Sequence, residues 1–402
     1  MKRRQLLQRG LGLSALGLGG FSGLSFATSS SNRRLLTIYN QGGWDTPLLF
    51  DPHLDSQWVE VPSDTGEDQF GGIKIATSPL RDTVSNFFQQ HADKMCIVNG
   101  VAVGSISHSK CEKMFFTGSR QVDAPDYASI VSHNHAGSRP LPYVILSGPR
   151  ITGQFGSIVT NVDSLFSDII QEKDVAYSLP NDKISDFLFS QSQNSTDKLV
   201  QEYHASLERR VQLNEWRDLF EINSSLTTEE QFDIITQLFS EDISQSVLLQ
   251  IKPPVFHYWD THAGNDQVQT GCYNHLFEKL NTLIEVLEST TDISGNRLID
   301  TTMVLVISEM GRMPAYNSAL GKDHWPYTSM LMFGAGVRGG QVVGKTDNKL
   351  GGMNVSMTTG EADDNGAILT AENVVAGLLQ SFDIDSAEYL GDTEPFFGCF
   401  SG

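Results

Sequence analysis

Two segments of the 402-residue chain gather carboxylates and imidazoles at close spacing: Trp259-Asp260-Thr261-His262, and Ser308-Glu309-Met310-Gly311-Arg312 followed by Asp323-His324-Trp325. Borderline divalent metals prefer such mixed oxygen and nitrogen donors, so the first expectation is a metal site. Asp45, in Gly42-Gly43-Trp44-Asp45, adds a third contribution, and Ser107-His108-Ser109 a fourth. Each residue alone has a plainer explanation. Asp45 suits a turn, Asp260 an Asx turn, His324 a ring held by its neighbour Asp323, and His108 a helix cap. Glu309 resists this, because a carboxylate directly after six strand-forming residues is costly to bury without a metal or a cation such as Arg312. The conjunction of residues points to a site, and so to an enzyme.

Such a site needs elements that bring distant segments together. Apolar, β-rich runs occur at Leu35 to Tyr39, Met95 to Val98, Val144 to Leu146, Thr302 to Ile307 and Met330 to Phe333. Helical spacing appears over 79–92, after His108 as far as Gly118, over 271–288, and over 371–381 with Thr370 as N-cap. Alternation of this kind predicts a three-layer α/β/α sandwich with a mainly parallel central sheet. Ligands of open α/β sheets bind beyond the carboxyl ends of the strands, where Asp45, His108, Asp260 and Glu309 fall. Residues 164–251 lack strand signals and carry amphipathic stretches at 196–221 and 228–239, the latter opened by the capping-box pair Thr227 and Glu230. They are expected to form a helical insertion, whereas 346–368 reads as a long loop.

The first 27 residues read as an export signal: Lys2, Arg3, Arg4 and Arg9, then a Gly/Leu-rich apolar run, then Ser25-Phe26-Ala27. Arg3-Arg4-Gln5-Leu6-Leu7 resembles the twin-arginine signal, which exports folded proteins and so predicts a periplasmic or secreted destination. The domain proper is then 28–402, with no second apolar span and no membrane association after cleavage. Loss of four positive charges takes the net charge from −20 to −24, which argues against nucleic acid and anionic lipid as partners. Cys96, Cys111, Cys272 and Cys399 are too scattered for a disulfide framework or a cysteine metal site, although the compartment allows one or two disulfides.

The motifs resemble those of the bacterial family called domain of unknown function 1501 (DUF1501), of the alkaline phosphatase-like superfamily with its sulfatases and phosphomutases. They are Arg33-Arg34-Leu35-Leu36 through Asp45, Ser107-His108 through Phe116-Thr117-Gly118, Trp259 to His262, Ser308 to Pro314, Asp323 to Trp325, and Gly334-Ala335-Gly336-Val337-Arg338-Gly339-Gly340. The resemblance implies a two-metal site. Asp45 matches a carboxylate of the second metal, and Asp260, His262 and His324 match ligands of the first. Glu309 falls where the superfamily has the Asp of an Asp-His pair, whose His is replaced by Met310, a weak donor to hard or borderline cations. His108 stands where a nucleophile is expected and is read as replacing the missing imidazole at the second metal. Ser107 or Ser109 then lies nearby as a hydroxyl, or there is no covalent step; a phosphohistidine route is the alternative.

The resulting expectation is a metal-dependent hydrolase of small anionic phosphate esters, with Arg312 or Lys322 binding the anion. Sulfate esters are less favoured, since Cys111 lacks the Pro and Arg companions of a formylglycine site. The cofactor is one or two divalent ions, zinc or manganese before magnesium. The competing reading is a non-catalytic metal-binding protein that serves a co-exported partner, as the family's frequent neighbour, domain of unknown function 1800, suggests.

Overall fold

The computed structural model describes residues 33–137, 139–161, 226–254 and 257–401, with positions 190 and 200. The expected signal at 1–27 and the amphipathic stretch 196–221, position 200 apart, lie outside these.

An eight-stranded sheet forms the frame. Its strands are β1 (Arg34–Tyr39), β4 (Cys96–Ala102), β5 (Tyr143–Ile145), β6 (Val159–Asn161), β7 (Ser246–Gln250), β8 (Thr302–Ile307), β11 (Tyr327–Gly334) and β12 (Gln341–Gly344), in the order β12-β4-β11-β8-β1-β7-β5-β6. Outside it, β2 (Gly66–Phe70) pairs with β3 (Ile73–Thr77), β9 (Gly311–Arg312) with β10 (His324–Trp325), and β13 (Asn354–Val355) with β14 (Ala367–Ile368). Every neighbouring pair of the large sheet is parallel except β11, which runs antiparallel to β4 and β8. The mainly parallel sheet inferred from the strand and helix alternation is therefore observed.

Both faces of β1 are apolar because both are covered. Leu36 and Ile38 join a core with Val304, Val306, Val247 and Leu249. That face lies under helices α1 (Asp82–His91), α4 (Thr228–Ser240) and α5 (Asn265–Ser289), whose buried residues enter the same core. Leu35 and Tyr39 point the other way, packing with Met303, Leu305 and Ile307 beneath α2 (His108–Thr117), α3 (Tyr127–His135) and α6 (Ala371–Ser381). Period-two alternation on doubly covered strands gives near-continuous hydrophobic runs, which is why the strands stood out in the sequence.

Both proposed helix starts hold: Thr227 with Glu230 and Thr370 with Asn373 form reciprocal capping boxes. The helical reading of 164–251 needs correction at its end. Ser246–Gln250 is a strand paired with β1 and β5, buried over most of its length. Its Ser-Val-Leu-Leu-Gln is too short an apolar run for periodicity to separate strand from helix. The four cysteines are buried free thiols.

Candidate metal centre

Parallel strands deliver their carboxyl ends to one edge of the sheet. Beyond β1 comes the turn through Gly42 and Gly43, beyond β4 the start of α2, beyond β7 the segment at Asp260, and beyond β8 Ser308 and Glu309. The β9 and β10 strands pair antiparallel with His324 opposite Arg312, which folds the second motif back over the edge. The turn has room only for glycine: Gly42 sits at φ +125°, and a Cβ there would lie 2.7 Å from the Asp260 amide nitrogen.

Three imidazoles converge there, each fixed through Nδ1. His108 Nδ1 meets Glu309 Oε1 at 2.6 Å, His262 Nδ1 meets Asp323 Oδ1 at 2.8 Å, and His324 Nδ1 meets the Ile106 carbonyl at 2.7 Å. With an acceptor opposite every Nδ1, a ring protonated there would leave its Nε2 lone pair free for a cation. Those three Nε2 atoms surround Asp260 Oδ1, at 3.4 Å for His108, 3.2 Å for His262 and 3.1 Å for His324. His262 Nε2 and His324 Nε2 are 3.0 Å apart, and the buried His108 Nε2 has no hydrogen-bond partner. An unpartnered buried nitrogen beside two other imidazole nitrogens and a carboxylate oxygen is an arrangement suited to a cation. The donors fit a borderline divalent ion, with ligand atoms of His108, Asp260 and His324 within 4.8 Å of one another.

The surrounding charges hold the cluster. Glu309 is fully buried and accepts hydrogen bonds from the Gly42 amide at 2.9 and 3.0 Å and from Ser308 Oγ at 3.3 Å. Its hydrogen bond raises the pKa of His108 above the ordinary histidine value. Partial burial alone would raise the Asp260 carboxyl, but the hydrogen bond and charge of Arg312, helped by His324, hold it down at about 2. It is thus an anion at any working pH.

Several expected roles change. Asp45 stays out of the cluster: its oxygens meet Lys322 Nζ at 2.9 and 3.2 Å and Asn265 Nδ2 at 2.7 Å, in a wholly buried pair. Glu309 and Asp323 each contact the far nitrogen of an imidazole, so they orient ligand candidates rather than join them. His108 groups with Asp260 and His324, not with Asp45 as its reading at a second metal required. Arg312 does not pair with Glu309. It is fully buried, and it donates to the Gly42, Gly43 and Lys322 carbonyls and to Asp260 Oδ1 at 2.5 Å. Neither Arg312 nor Lys322 therefore extends a free cation toward an ester, because each is consumed in supporting the loops. Ser107 Oγ and Ser109 Oγ lie 3.4 Å apart, and Ser107 is the N-cap of α2 without a capping side-chain bond. Cys111 is buried against the Ser105 carbonyl at 3.1 Å, and burial pushes its thiol up to about 11.

Two supports were not anticipated. Gln269 donates to the Gly43 and Trp259 carbonyls and accepts from the Asp45 amide, tying three loops together, and Asn265 bridges Asp45 and Thr261. Their signal was present: Asn265 and Gln269 are polar residues four apart on the buried face of α5.

Known structures similar to this chain share little of its sequence. A protein in the alkaline phosphatase superfamily from Vibrio parahaemolyticus aligns over 92% of this chain and 71% of its own, at 10% identity and a TM-score of 0.41. A sulfatase from Pseudoalteromonas sp. aligns over 91% and 73%, at 8% identity and a TM-score of 0.40. Murine ectonucleotide pyrophosphatase/phosphodiesterase 5 aligns over 90% and 99%, at 10% identity and a TM-score of 0.40. No curated protein sequence matches the chain. Residues 225–386 match the family described as Protein of unknown function (DUF1501), the family that the motifs resemble.

Proposed function

We propose that the chain is an exported protein that binds a divalent metal through His108, Asp260, His262 and His324 and hydrolyses phosphate esters there, with sulfate esters less favoured. The observation that carries the metal reading is the convergence of three Nε2 atoms on one carboxylate oxygen, with every Nδ1 already engaged. A bound divalent cation supplies Lewis acidity and makes water a competent nucleophile near neutral pH. The chain's own residues supply orientation. Glu309 keeps the His108 proton on Nδ1, Asp323 does the same for His262, and Arg312 holds Asp260 in place. His262 and Asp260 have side chains 48% and 43% exposed, so the centre opens to solvent on their side. The mixed imidazole and carboxylate donors favour zinc or manganese over magnesium.

A second reading, a non-catalytic metal-binding module serving a co-exported partner, is favoured by one observation: Arg312 and Lys322, the cations expected to receive an ester anion, are both spent inside the protein. Elemental analysis of the natively exported protein beside Asp260→Ala and His324→Ala tests the metal. About one equivalent is expected in the wild type and a strong loss in both variants, and under half an equivalent in the wild type would sink the reading. Aryl phosphate mono- and diesters and an aryl sulfate then separate the two functions, since a loaded protein that turns over none of them is the binding module.

A further inference from the structure

The acidic residues at this edge of the sheet differ in what neutralises them. Asp260 lies open to the imidazoles, whereas Asp45 is sealed. The Asp45 and Lys322 side chains are both 0% exposed, joined at 2.9 and 3.2 Å. The ammonium also lies 5.2 Å from the centre of the Tyr316 ring, and Asn265 completes the enclosure of the carboxylate at 2.7 Å. Lys322 is no distant residue. It stands two positions before His324, its amide donates to the Thr261 carbonyl at 2.9 Å, and its carbonyl accepts from the arginine that grips Asp260. The Lys322 side chain is therefore built into the loop that carries the imidazoles, bonded to Asp45.

The two-metal arrangement implied by the family resemblance does not fit these residues. Its second ion would draw on Asp45 and on positions 309 and 310. Here Asp45 belongs to Lys322, Glu309 to His108 and the Gly42 amide, and Met310 is a buried thioether. We infer that the centre holds one divalent ion, and that the Lys322 ammonium occupies the charge position a second ion would need. A divalent ion brought to Asp45 would meet an ammonium already bonded to both carboxylate oxygens, in surroundings that screen the repulsion poorly. The inference rests on the imidazole cluster being an ion site, and it fixes how many ions that site holds.

Its test is metal stoichiometry by elemental analysis after saturation with zinc or manganese and removal of free ion. The full exported protein would be compared as wild type, Lys322→Met, and the double variant Asp45→Asn with Lys322→Met. One equivalent is expected in the wild type, two in Lys322→Met, where the Asp45 carboxylate loses its partner, and one again in the double variant. Two equivalents in the wild type would overturn the inference. So would a folded Lys322→Met, checked by circular dichroism, that stays at one, or loss of the ion from a folded double variant, which would make Asp45 a ligand of the resident ion. No ion in the wild type defeats the metal reading itself and the inference with it, whereas a wild type and a folded Lys322→Met both at one defeat only the inference. Should Lys322→Met not fold, the double variant replaces the buried pair with neutral groups of similar shape, a change proteins tolerate. Its count then decides.

Discussion

Among the individual residues, Glu309 best shows how burial and chemistry are coupled here. Its buried place two residues beyond β8 would be prohibitive for an unpaired carboxylate, and it persists because two contacts from the Gly42 amide and one from His108 satisfy it. Its proposed task is to set the tautomer and aim of His108. Glu309→Gln should therefore weaken metal affinity by about 10- to 100-fold while leaving stoichiometry at saturation unchanged, measured by competition with a chromophoric chelator. A null effect on affinity would mean that His108 is not a ligand. Arg312 was expected to reach for substrate, and its four internal partners show why spacing alone misleads: a motif fixes which residues are near in sequence, not which carbonyls will claim them.

Single elements carry two further expectations. The turn at Gly42 and Gly43 brings β1 against the segments of Asp260 and Arg312. Gly43 sits at φ +86°, and a Cβ there would lie 2.8 Å from Met310 Cγ and 3.2 Å from Arg312 Nε. Gly43→Ala should cost about 1 to 3 kcal/mol in chemical denaturation and reduce metal occupancy, because strain and displacement of Arg312 act together. At the start of α3, Asp126 caps the helix through the Ser129 amide at 2.6 Å and accepts from Tyr143 Oη at 3.1 Å, yet complete burial lifts its carboxyl from 3.8 to about 6. The sign follows directly. The native state holds this proton more tightly than the unfolded chain between those values, so its contribution is full below pH 3.8 and is lost as pH rises through about 6. The two-unit shift corresponds to roughly 3 kcal/mol. Asp126→Asn keeps a capping side chain without the titration, and its unfolding free energy should fall less between pH 4 and 7 than that of the wild type. Parallel slopes would show that Asp126 is not the group responsible.

For the molecule as a whole, the centre joins loops from four parallel strands, so an ion bound only by the folded state should stabilise all of it. At an ion concentration about a hundred times the dissociation constant the gain is roughly 2.7 kcal/mol. Chelation should accordingly lower Tm in the wild type and leave Tm unchanged in His324→Ala. Export is tested by replacing Arg3 and Arg4 with lysine, which should retain the precursor in the cytoplasm if the twin-arginine reading is right. No described helix is long and apolar enough to cross a membrane.

Five of the eight strands of the central sheet, the Thr227–Glu230 capping box and the N-cap at Thr370 were legible because burial on two faces writes continuous apolar runs, and because helix starts need particular side chains; the short β6 and β12 were not. Ser246–Gln250 was missed, being short and flanked by polar residues that sit on a buried strand. The sequence by itself determined the layered architecture and the inventory of donors at strand ends, since local periodicity and residue type suffice for both. Only the tertiary structure decided the pairing: Asp45 with Lys322, Glu309 with His108, Arg312 with Asp260. Each joins residues more than fifty positions apart, and which charge meets which depends on the sheet order and on loop paths that no local spacing encodes.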